Sequence, residues 1–273
     1  MPLRLTSLAL TLAISAGLVA IPACKKSKFA PPASSSTEPS PSPGPGAGAR
    51  EPGAPTSPVF SASNPLAAAM REASMMNAKQ IGMGLHAFHD TNQALPAGYA
   101  TKDGKPGLSW RVALLPYIEE ENLFRQFKLD EPWDSPHNKS LVTKMPKLYA
   151  PPRQDTFGYT FYRGFTGPGT ALQPRQATAK AGELLKGVSL TQITDGTSNT
   201  ILVAEAYDPV IWTKPDELEF TPGSVPKLGG VFQSGAVVLF ADGSVRFARP
   251  SLPQKTLASA IQVNDGGIVN WEE

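Results

Sequence analysis

The sequence predicts an α+β fold in which one long helix comes first and a head of short helices and strands packs against it. Residues 64–88 carry apolar side chains at helical spacing, and strand-like runs of aromatic and β-branched residues appear after residue 150. Late in the chain, Asp242-Gly243 separates two strand-like runs, which is typical of a type I′ hairpin. These observations place a helical layer and a β-layer in one domain, residues 64–273.

The long helix has a clear start and a weaker end. Asn64 is a good N-cap, and Pro65 suits the first helical position, where a missing N–H is tolerated. Gly82 and Gly84 each weaken the helix by about 1 kcal/mol relative to Ala, and they allow another element to approach its backbone closely. We expect the helix to end near residues 90–92. Its apolar stripe consists of Leu66, Met70, Ala73, Met76, Ile81, Leu85 and Phe88.

The N-terminus, residues 1–24, reads as a lipoprotein-type signal peptide. Arg4 precedes an apolar run, residues 5–20, that is short for a membrane span of ~20 apolar residues. Ile21-Pro22-Ala23-Cys24 then resembles the lipobox of bacterial lipoproteins, which implies lipidation at Cys24 and an exported protein anchored in the cell envelope, facing the periplasm or the cell surface. Pro22 departs from the usual residue there. The alternatives are an ordinary secretory signal and an uncleaved anchor.

Residues 25–63 form a predicted disordered linker. Proline, serine and glycine dominate residues 30–58, and such a composition buries too little apolar surface to offset the entropy of ordering. Cys24 is the single cysteine, so no internal disulfide is expected. The formal net charge of +2 gives no electrostatic case for nucleic acid as a partner.

The head alternates short helices, loops and strands. Residues 93–108 are predicted to be a loop, and Ser109 is expected to cap a helix over residues 110–127 that Pro116 kinks or splits. Ser135-Pro136 resembles a third helix start. The remaining predicted elements are strands at residues 159–162, 201–206, 237–241 and 244–248 and a last helix at residues 253–263.

Several sequence blocks together resemble the bacterial domain-of-unknown-function family 1559, from about residue 65 to the C-terminus. The resemblance implies a pseudopilin-like fold, in which a long N-terminal helix lies on an antiparallel β-sheet with short extra helices. The blocks are residues 77–82, 86–90, 95–96, 109–112, 115–119, 132–138, 195–201 and 240–245.

The chain also departs from the family pattern. The pilin-type methylation motif and hydrophobic half-helix are absent, and a lipoprotein-like leader and linker stand in their place. The family carries a histidine that nine residues separate from the late Asp-Gly, and Phe232 occupies that position here. A cysteine common near the helix middle is Ser74. The family has no established activity, although it has also been labelled as bacterial solute-binding.

The sequence offers few candidates for chemistry. His86, His89 and Asp90 stand at i, i+3 and i+4, so one helix face could present them to a metal ion; alternatively, the histidines shape the helix end and donate to loop carbonyls. No catalytic residues, cofactor or metal site are predicted, and we expect no enzyme. Two further sets of residues could bind a ligand. Asp195, Ser198 and Asn199 could supply oxygens to Ca²⁺, or they could form a turn whose side chains bond to nearby backbone. The aromatic residues Trp110, Tyr117, Trp133 and Tyr162 could line a ligand groove, or they could be part of the core.

The function predicted from these features is that of a membrane-tethered cell-envelope protein with a structural role or a role in protein–protein contact. Its expected partners are the membrane, through the lipid anchor, and an unidentified envelope protein. The alternative is an extracytoplasmic solute-binding lipoprotein, which a closed cleft of several hundred Å³ lined by aromatic residues would favour. A metal-dependent enzyme at the histidine end of the helix is a third hypothesis.

Overall fold

A computed structural model describes residues 65–152, 156–176 and 178–267, together with residues 269 and 271. The predicted signal peptide and linker, with Cys24 and the expected cap Asn64, lie outside the described residues. The α+β prediction is confirmed, because one long helix precedes two β-sheets and a few short helices. No helix in the described part of the chain combines the length and the apolar character that crossing a bilayer requires.

The long helix, α1, runs from Pro65 to Asn92. Its last turn is closed by side chains, since Asn92 Nδ2 donates to the Phe88 carbonyl at 3.0 Å. Gln93 then adopts a positive φ of 57°, which ends the helix, and its N–H donates to the His89 carbonyl at 2.7 Å. The buried side of α1 consists of Ala67, Met70, Ser74, Ala78, Ile81, Gly82, Gly84, Leu85 and Phe88.

Within the described residues, eight strands and four further α-helices follow α1. The strands are β1 (Pro96–Ala100), β2 (Pro106–Leu108), β3 (Tyr159–Thr166), β4 (Leu184–Lys186), β5 (Ile201–Ile211), β6 (Leu218–Glu219), β7 (Ala236–Phe240) and β8 (Val245–Ala248). The helices are α2 (Trp110–Ala113), α3 (Glu121–Phe124), α4 (Pro136–Lys139) and α5 (Gln254–Ile261).

The main sheet has the strand order β6-β3-β5-β7-β8. Its pairs are antiparallel except β3 with the short edge strand β6, so the sheet is mixed rather than purely antiparallel. Val237 and Leu239 of β7 belong to the core cluster shared with α1, whereas Val238 and Phe240 belong to the cluster shared with α5. This alternation follows from the two-residue period of a strand and places one helix on each face of the sheet.

The contact between α1 and β7 is close at a glycine of the helix. A Cβ built on Gly82 would lie 2.8 Å from Leu239 Cδ1. The sequence-based expectation that this glycine permits close approach is therefore confirmed, because the backbone of α1 comes close to β7 at this point.

A second, three-stranded sheet of order β2-β1-β4 was not predicted. The expectation of a loop over residues 93–108 was wrong there. Proline and glycine hide the strand signal, and the pairing of β1 is irregular, with register shifts on both of its edges. Gly98 has a φ of 106° within β1, a conformation that a sequence pattern does not reveal.

Two local predictions are refined. The helix expected at residues 110–127 is split into α2, a 3₁₀ turn containing Pro116, and α3, as the proline suggested. The β7–β8 hairpin is confirmed, but the type I′ turn is wrong. Gly243 N donates to the Phe240 carbonyl at 3.0 Å, so Ala241 and Asp242 are the central residues, and only the following Gly243 has a positive φ, at 82°. The Asp242 carboxylate accepts from Ser244 N at 2.8 Å, which stabilises the alternative turn.

Candidate functional site

A cleft with a volume of about 660 Å³ lies at one end of the main sheet. It is bordered by Tyr207 on β5, by the loop of residues 225–236 that leads into β7, and by residues 248–257 that lead from β8 into α5. We call it the Phe232 cleft, after the residue at the family's histidine position.

Backbone hydrogen bonds to β5 hold the loop of this cleft in place. Gly229 N donates to the Glu205 carbonyl and Gly230 N to the Ala206 carbonyl, both at 3.0 Å. The Tyr207 N–H in turn donates to the Lys227 carbonyl at 3.1 Å. The loop thus runs beside the second half of β5, where it covers amides and carbonyls that an edge strand would otherwise expose.

Two glycines are required by this arrangement. A Cβ on Gly230 would lie 2.0 Å from the Tyr207 carbonyl oxygen. Gly235 has a φ of 145°, and a Cβ there would lie 2.1 Å from the Ala248 carbonyl oxygen. Since backbone atoms rather than flexible side chains occupy those positions, a side chain on either glycine would force the loop away from the sheet.

The lining of the Phe232 cleft combines apolar side chains with two cations. Lys227 and Arg249 are the charged residues among its described lining, which contains no Asp or Glu. Lys227 Nζ lies 5.9 Å from the centroid of the Tyr207 ring, a cation–π distance. The apolar lining includes Val225, Leu228, Val231, Phe232, Leu252 and Leu257.

Phe232 contributes an apolar ring to the wall of the cleft. It is buried, and its ring packs edge-on against Phe247 at 6.1 Å between centroids. A histidine at this position would offer a proton acceptor and metal ligand to the cleft, whereas phenylalanine offers neither. The cleft of this chain is therefore suited to apolar contact at the position where the family carries an imidazole.

A buried carboxylate lies behind the cleft, on β5. Glu205 Oε2 accepts from Val237 N at 2.9 Å, and Oε1 accepts from the Ser74 hydroxyl of α1. Tyr162 Oη lies 2.6 Å from Ser74 Oγ and donates to the Ser74 carbonyl at 3.1 Å. Burial raises the pKa of Glu205 to about 7 and raises the pKa of Tyr162 as well.

This network joins α1, β3, β5 and β7, and all of its side chains are buried. Glu205 does not line the cleft, so its shifted pKa reflects an internal structural role rather than an acid or base facing a ligand. Sequence analysis missed Glu205. The signal was a single acidic residue inside the apolar run of residues 201–206, which a strand buried on both faces cannot expose.

A second buried charge, Arg111, was also missed. Its guanidinium is fully buried and donates to the carbonyls of Trp212 at 2.8 Å, Tyr162 at 2.9 Å and Lys214 at 3.0 Å. It also pairs with Glu217 at 3.0 Å, and Glu217 accepts from Gly164 N at 2.7 Å. The five donors of the guanidinium thus tie α2 to the main sheet.

The structure does not bring the three proposed metal ligands together. His89 Nε2 accepts from Leu190 N at 3.1 Å, while its Nδ1 lies 4.0 Å from the carboxylate of Asp90, whose side chain is 84% exposed. The interpretation that both histidines donate to loop carbonyls is wrong for His89 Nε2, which accepts from an amide. Among the described residues, no cluster of three or more His, Cys, Asp or Glu side chains is arranged to hold a metal ion.

His86 has a different environment from His89. Its Nε2 is buried and has no hydrogen-bond partner in the described part of the chain. A Cβ on Gly243 would lie 3.6 Å from this nitrogen, so the β7–β8 turn packs over the ring. His86 therefore belongs to the packing between α1 and the hairpin.

The remaining candidates also have internal partners. The Asp195 carboxylate accepts from Asp265 N at 2.6 Å and Gly266 N at 3.0 Å, and Asn199 Nδ2 donates to the Asp195 carbonyl at 2.9 Å. The aromatic residues form no common groove. Trp110 and Tyr162 are buried, the Tyr117 ring packs on Phe88, and the Trp133 ring lies under Lys214. Cys24, the predicted lipidation site, lies outside the described residues.

One comparison with known proteins gives a match. A family model described as a protein of unknown function (DUF1559) matches residues 67–228. The matched segment begins in α1 and ends at Leu228, inside the loop of the Phe232 cleft, so it does not include Phe232 itself. No curated protein and no solved structure matches the chain.

Proposed function

The chain belongs to the DUF1559 family of proteins of unknown function, and from that premise we propose that it is an exported, lipid-anchored envelope protein that acts by binding rather than by catalysis. Its ligand is a short, acidic and partly apolar segment of another envelope protein, held in the Phe232 cleft.

The composition of the cleft lining is the observation that carries this proposal. Apolar side chains favour burial of apolar groups, and Lys227 and Arg249, with no carboxylate in the lining, favour a negatively charged partner. The buried side chains Glu205 and Arg111 are engaged inside the core, and the described lining of the cleft contains no paired acid and base.

The membrane anchor is supported by the sequence of the N-terminus. An apolar run over residues 5–20 followed by Ala23-Cys24 fits a leader that is removed before an acylated cysteine. More than one acyl chain is needed for stable anchoring, which lipoprotein-type modification supplies. Residues 25–63 then give the domain reach from the membrane surface.

A second candidate function is binding of a small solute in the same cleft. Its volume of about 660 Å³ falls within the range of small-molecule sites, roughly 300–1,000 Å³. Both candidate functions depend on the same lining residues. An experiment therefore distinguishes them by the ligand that it recovers, a protein or a small molecule.

The test is a pull-down from native membranes with the acylated full-length chain, made in three forms. The wild type is compared with a K227E/R249E variant of the cleft and with a K102E/K105E control, which makes the same charge change at exposed lysines between β1 and β2. We expect one stoichiometric envelope protein with the wild type and the control, and a severalfold loss with the cleft variant.

Two results would contradict the proposal. Equal recovery with the cleft variant would show that the partner binds elsewhere. Recovery of no protein, together with a small molecule released on denaturation of the wild type but not of the cleft variant, would favour solute binding instead.

A further inference from the structure

The solvent-facing side of α1 carries a second regular pattern that the fold does not use. Ala69, Ala73, Met76, Gln80, Met83 and Ala87 follow one another at alternating spacings of four and three residues. All six are exposed, with Met76 at 60% and Met83 at 62%. We call these six residues the α1 stripe.

The spacing of the α1 stripe is that of the contact seam in a coiled coil. The side of α1 that faces the sheet is a separate set of residues, so the core does not explain this pattern. Contiguous exposed apolar surface marks interaction sites more often than chance exposure does. The three alanines leave room for another helix to approach, while the two methionines supply adaptable apolar contact.

Two opposite charges flank the stripe on the same side. Glu72 and Lys79 each precede a stripe residue, Ala73 and Gln80, and both are exposed. Neither has an ion pair or hydrogen bond among the described residues. In a coiled coil, charged residues at this flanking position form ion pairs between the helices, and these pairs determine which helix binds and in which orientation.

The charges distinguish two ways of pairing the stripe with a second copy of itself. In an antiparallel pair that sets Ala73 opposite Met76 and Ala69 opposite Gln80, Glu72 of one copy meets Lys79 of the other. Two-fold symmetry repeats that contact, so both ion pairs form at once. In a parallel pair, Glu72 would face Asn77 of the second copy and Lys79 would face Gly84. Neither of these residues is charged, so no ion pair would form.

We propose that the α1 stripe from Ala69 to Met83 is the interface of an antiparallel homodimer, held by apolar contact along the seam and by reciprocal Glu72–Lys79 pairs. The occupant is a second copy of this chain, independent of whatever the Phe232 cleft binds.

An antiparallel dimer is compatible with two anchors in one membrane. In this register Pro65 of one copy lies opposite Gly84 of the other, so the two helix starts are about 28 Å apart along the pair. Residues 25–63 reach up to about 130 Å when fully extended, which allows both chains to return to the same surface. Confinement to that surface raises the effective concentration of the partner copy.

Cysteine cross-linking of the full chain in membranes tests the register. Two differently tagged copies, one with Ala69→Cys and one with Gln80→Cys, are expected to give a mixed disulfide under mild oxidation, since these positions face each other. Two tagged copies that both carry Ala69→Cys are expected to give none, because their positions lie roughly 16 Å apart along the helices. The chain without introduced cysteines gives the background from Cys24.

Charge reversal tests the pairing chemistry in the same assay. Adding Glu72→Lys to both copies places lysine opposite lysine and should lower the mixed cross-link severalfold, as should Lys79→Glu. The combination E72K/K79E restores opposite charges and should restore the yield. The matched control is E121K/R125E, which reverses an exposed ion pair on α3 and should change nothing.

The outcomes separate the alternatives. The mixed disulfide with rescue by E72K/K79E supports the proposal. An Ala69→Cys cross-link to its own position in the second copy would show a parallel contact, and absence of both cross-links would show that the α1 stripe does not bind a second copy. A mixed disulfide that is insensitive to the charges would overturn the ion-pair assignment. None of these results depends on the Phe232 cleft.

Discussion

The Ser74 hydroxyl donates a hydrogen bond to the Glu205 carboxylate in the buried layer between α1 and the main sheet. The second oxygen of Glu205 accepts from the Val237 amide of β7. One acidic side chain therefore connects the middle of the helix to the two central strands β5 and β7. This connection lies directly behind the Phe232 cleft, whose loop is bonded to the carbonyl of the same Glu205.

The stability of the domain should fall as pH rises toward neutrality. Burial raises the pKa of Glu205 from 4.5 to about 7, so the folded state keeps a proton that the unfolded chain has already released. The free energy of unfolding should therefore decrease between pH 4.5 and pH 7, by up to about 3 kcal/mol. Denaturant unfolding of the full chain across this pH range measures the slope.

The matched variant for that experiment is Glu205→Gln. Its amide has the shape of the protonated acid. The amide oxygen can accept from Val237 N, and the NH₂ group can donate to Ser74 Oγ when the serine hydroxyl donates instead to Tyr162 Oη, 2.6 Å away. We expect E205Q to lose most of the pH dependence between pH 4.5 and pH 7 while remaining folded. A wild-type slope that persists unchanged in E205Q would assign the effect to other groups.

Loss of the Arg111 guanidinium should be among the most damaging single changes. Arg111→Met would leave the buried carbonyls of Trp212 and Tyr162 and the part-buried carbonyl of Lys214 without this donor, and the nearly buried Glu217 without its cation. Breaking a buried pair in this way costs about 3–5 kcal/mol. The unfolding free energy from denaturant titration gives the value.

The control for this prediction is Arg125→Ala. Arg125 pairs with Glu121 at 2.7 Å, but both side chains are mostly exposed. Loss of an exposed pair of this kind costs less than about 1 kcal/mol. Similar effects of R111M and R125A would mean that the buried clamp does not stabilise the packing of α2 on the sheet.

The shape of the Phe232 cleft should depend on Gly230. Gly230→Ala places a methyl group against the Tyr207 carbonyl oxygen and should destabilise the domain by at least about 2 kcal/mol. Gly223→Ala, where a Cβ meets no atom within 4 Å, should be close to neutral. Thermal unfolding measures the stability of both variants relative to the wild type. If G230A were as stable as the wild type, the loop would not be held against β5 as described.

Lipid anchoring should depend on Cys24. The wild-type chain should fractionate with membranes and carry a mass increase from acyl chains on a mature N-terminal Cys24, whereas Cys24→Ser should lose both. A C24S chain that still fractionates with membranes would favour an uncleaved anchor. A wild-type protein that is cleaved without acylation would favour an ordinary secretory signal.

Much of the fold could be predicted because its signals are local. The 3.6-residue spacing defined α1 to within a few residues, and Asp242-Gly243 marked the hairpin. The strands β3 and β5 were found where aromatic and β-branched residues cluster, although each is longer than expected. In these cases a short stretch of sequence carries the information on its own.

What could not be predicted depends on contacts between distant residues. The turn at Asp242 also contacts a distant segment, since Asp242 N donates to the Thr197 carbonyl, 45 positions earlier in the chain, at 3.0 Å. In the sheet of β1, β2 and β4, the strand β4 pairs with β1 but begins only at Leu184, more than 80 residues after β1. The Phe232 cleft likewise forms from three separate segments, and the sequence alone identified only Phe232 among its lining, through the family resemblance.

Amide hydrogen exchange is the most direct test of binding in the Phe232 cleft. The full-length chain is compared alone and in the complex recovered from native membranes. Slower exchange on binding, concentrated in residues 225–236 and 248–257, is the predicted result. Unchanged exchange in both segments, with protection appearing elsewhere in the described domain, would contradict the assignment of the cleft as the binding site.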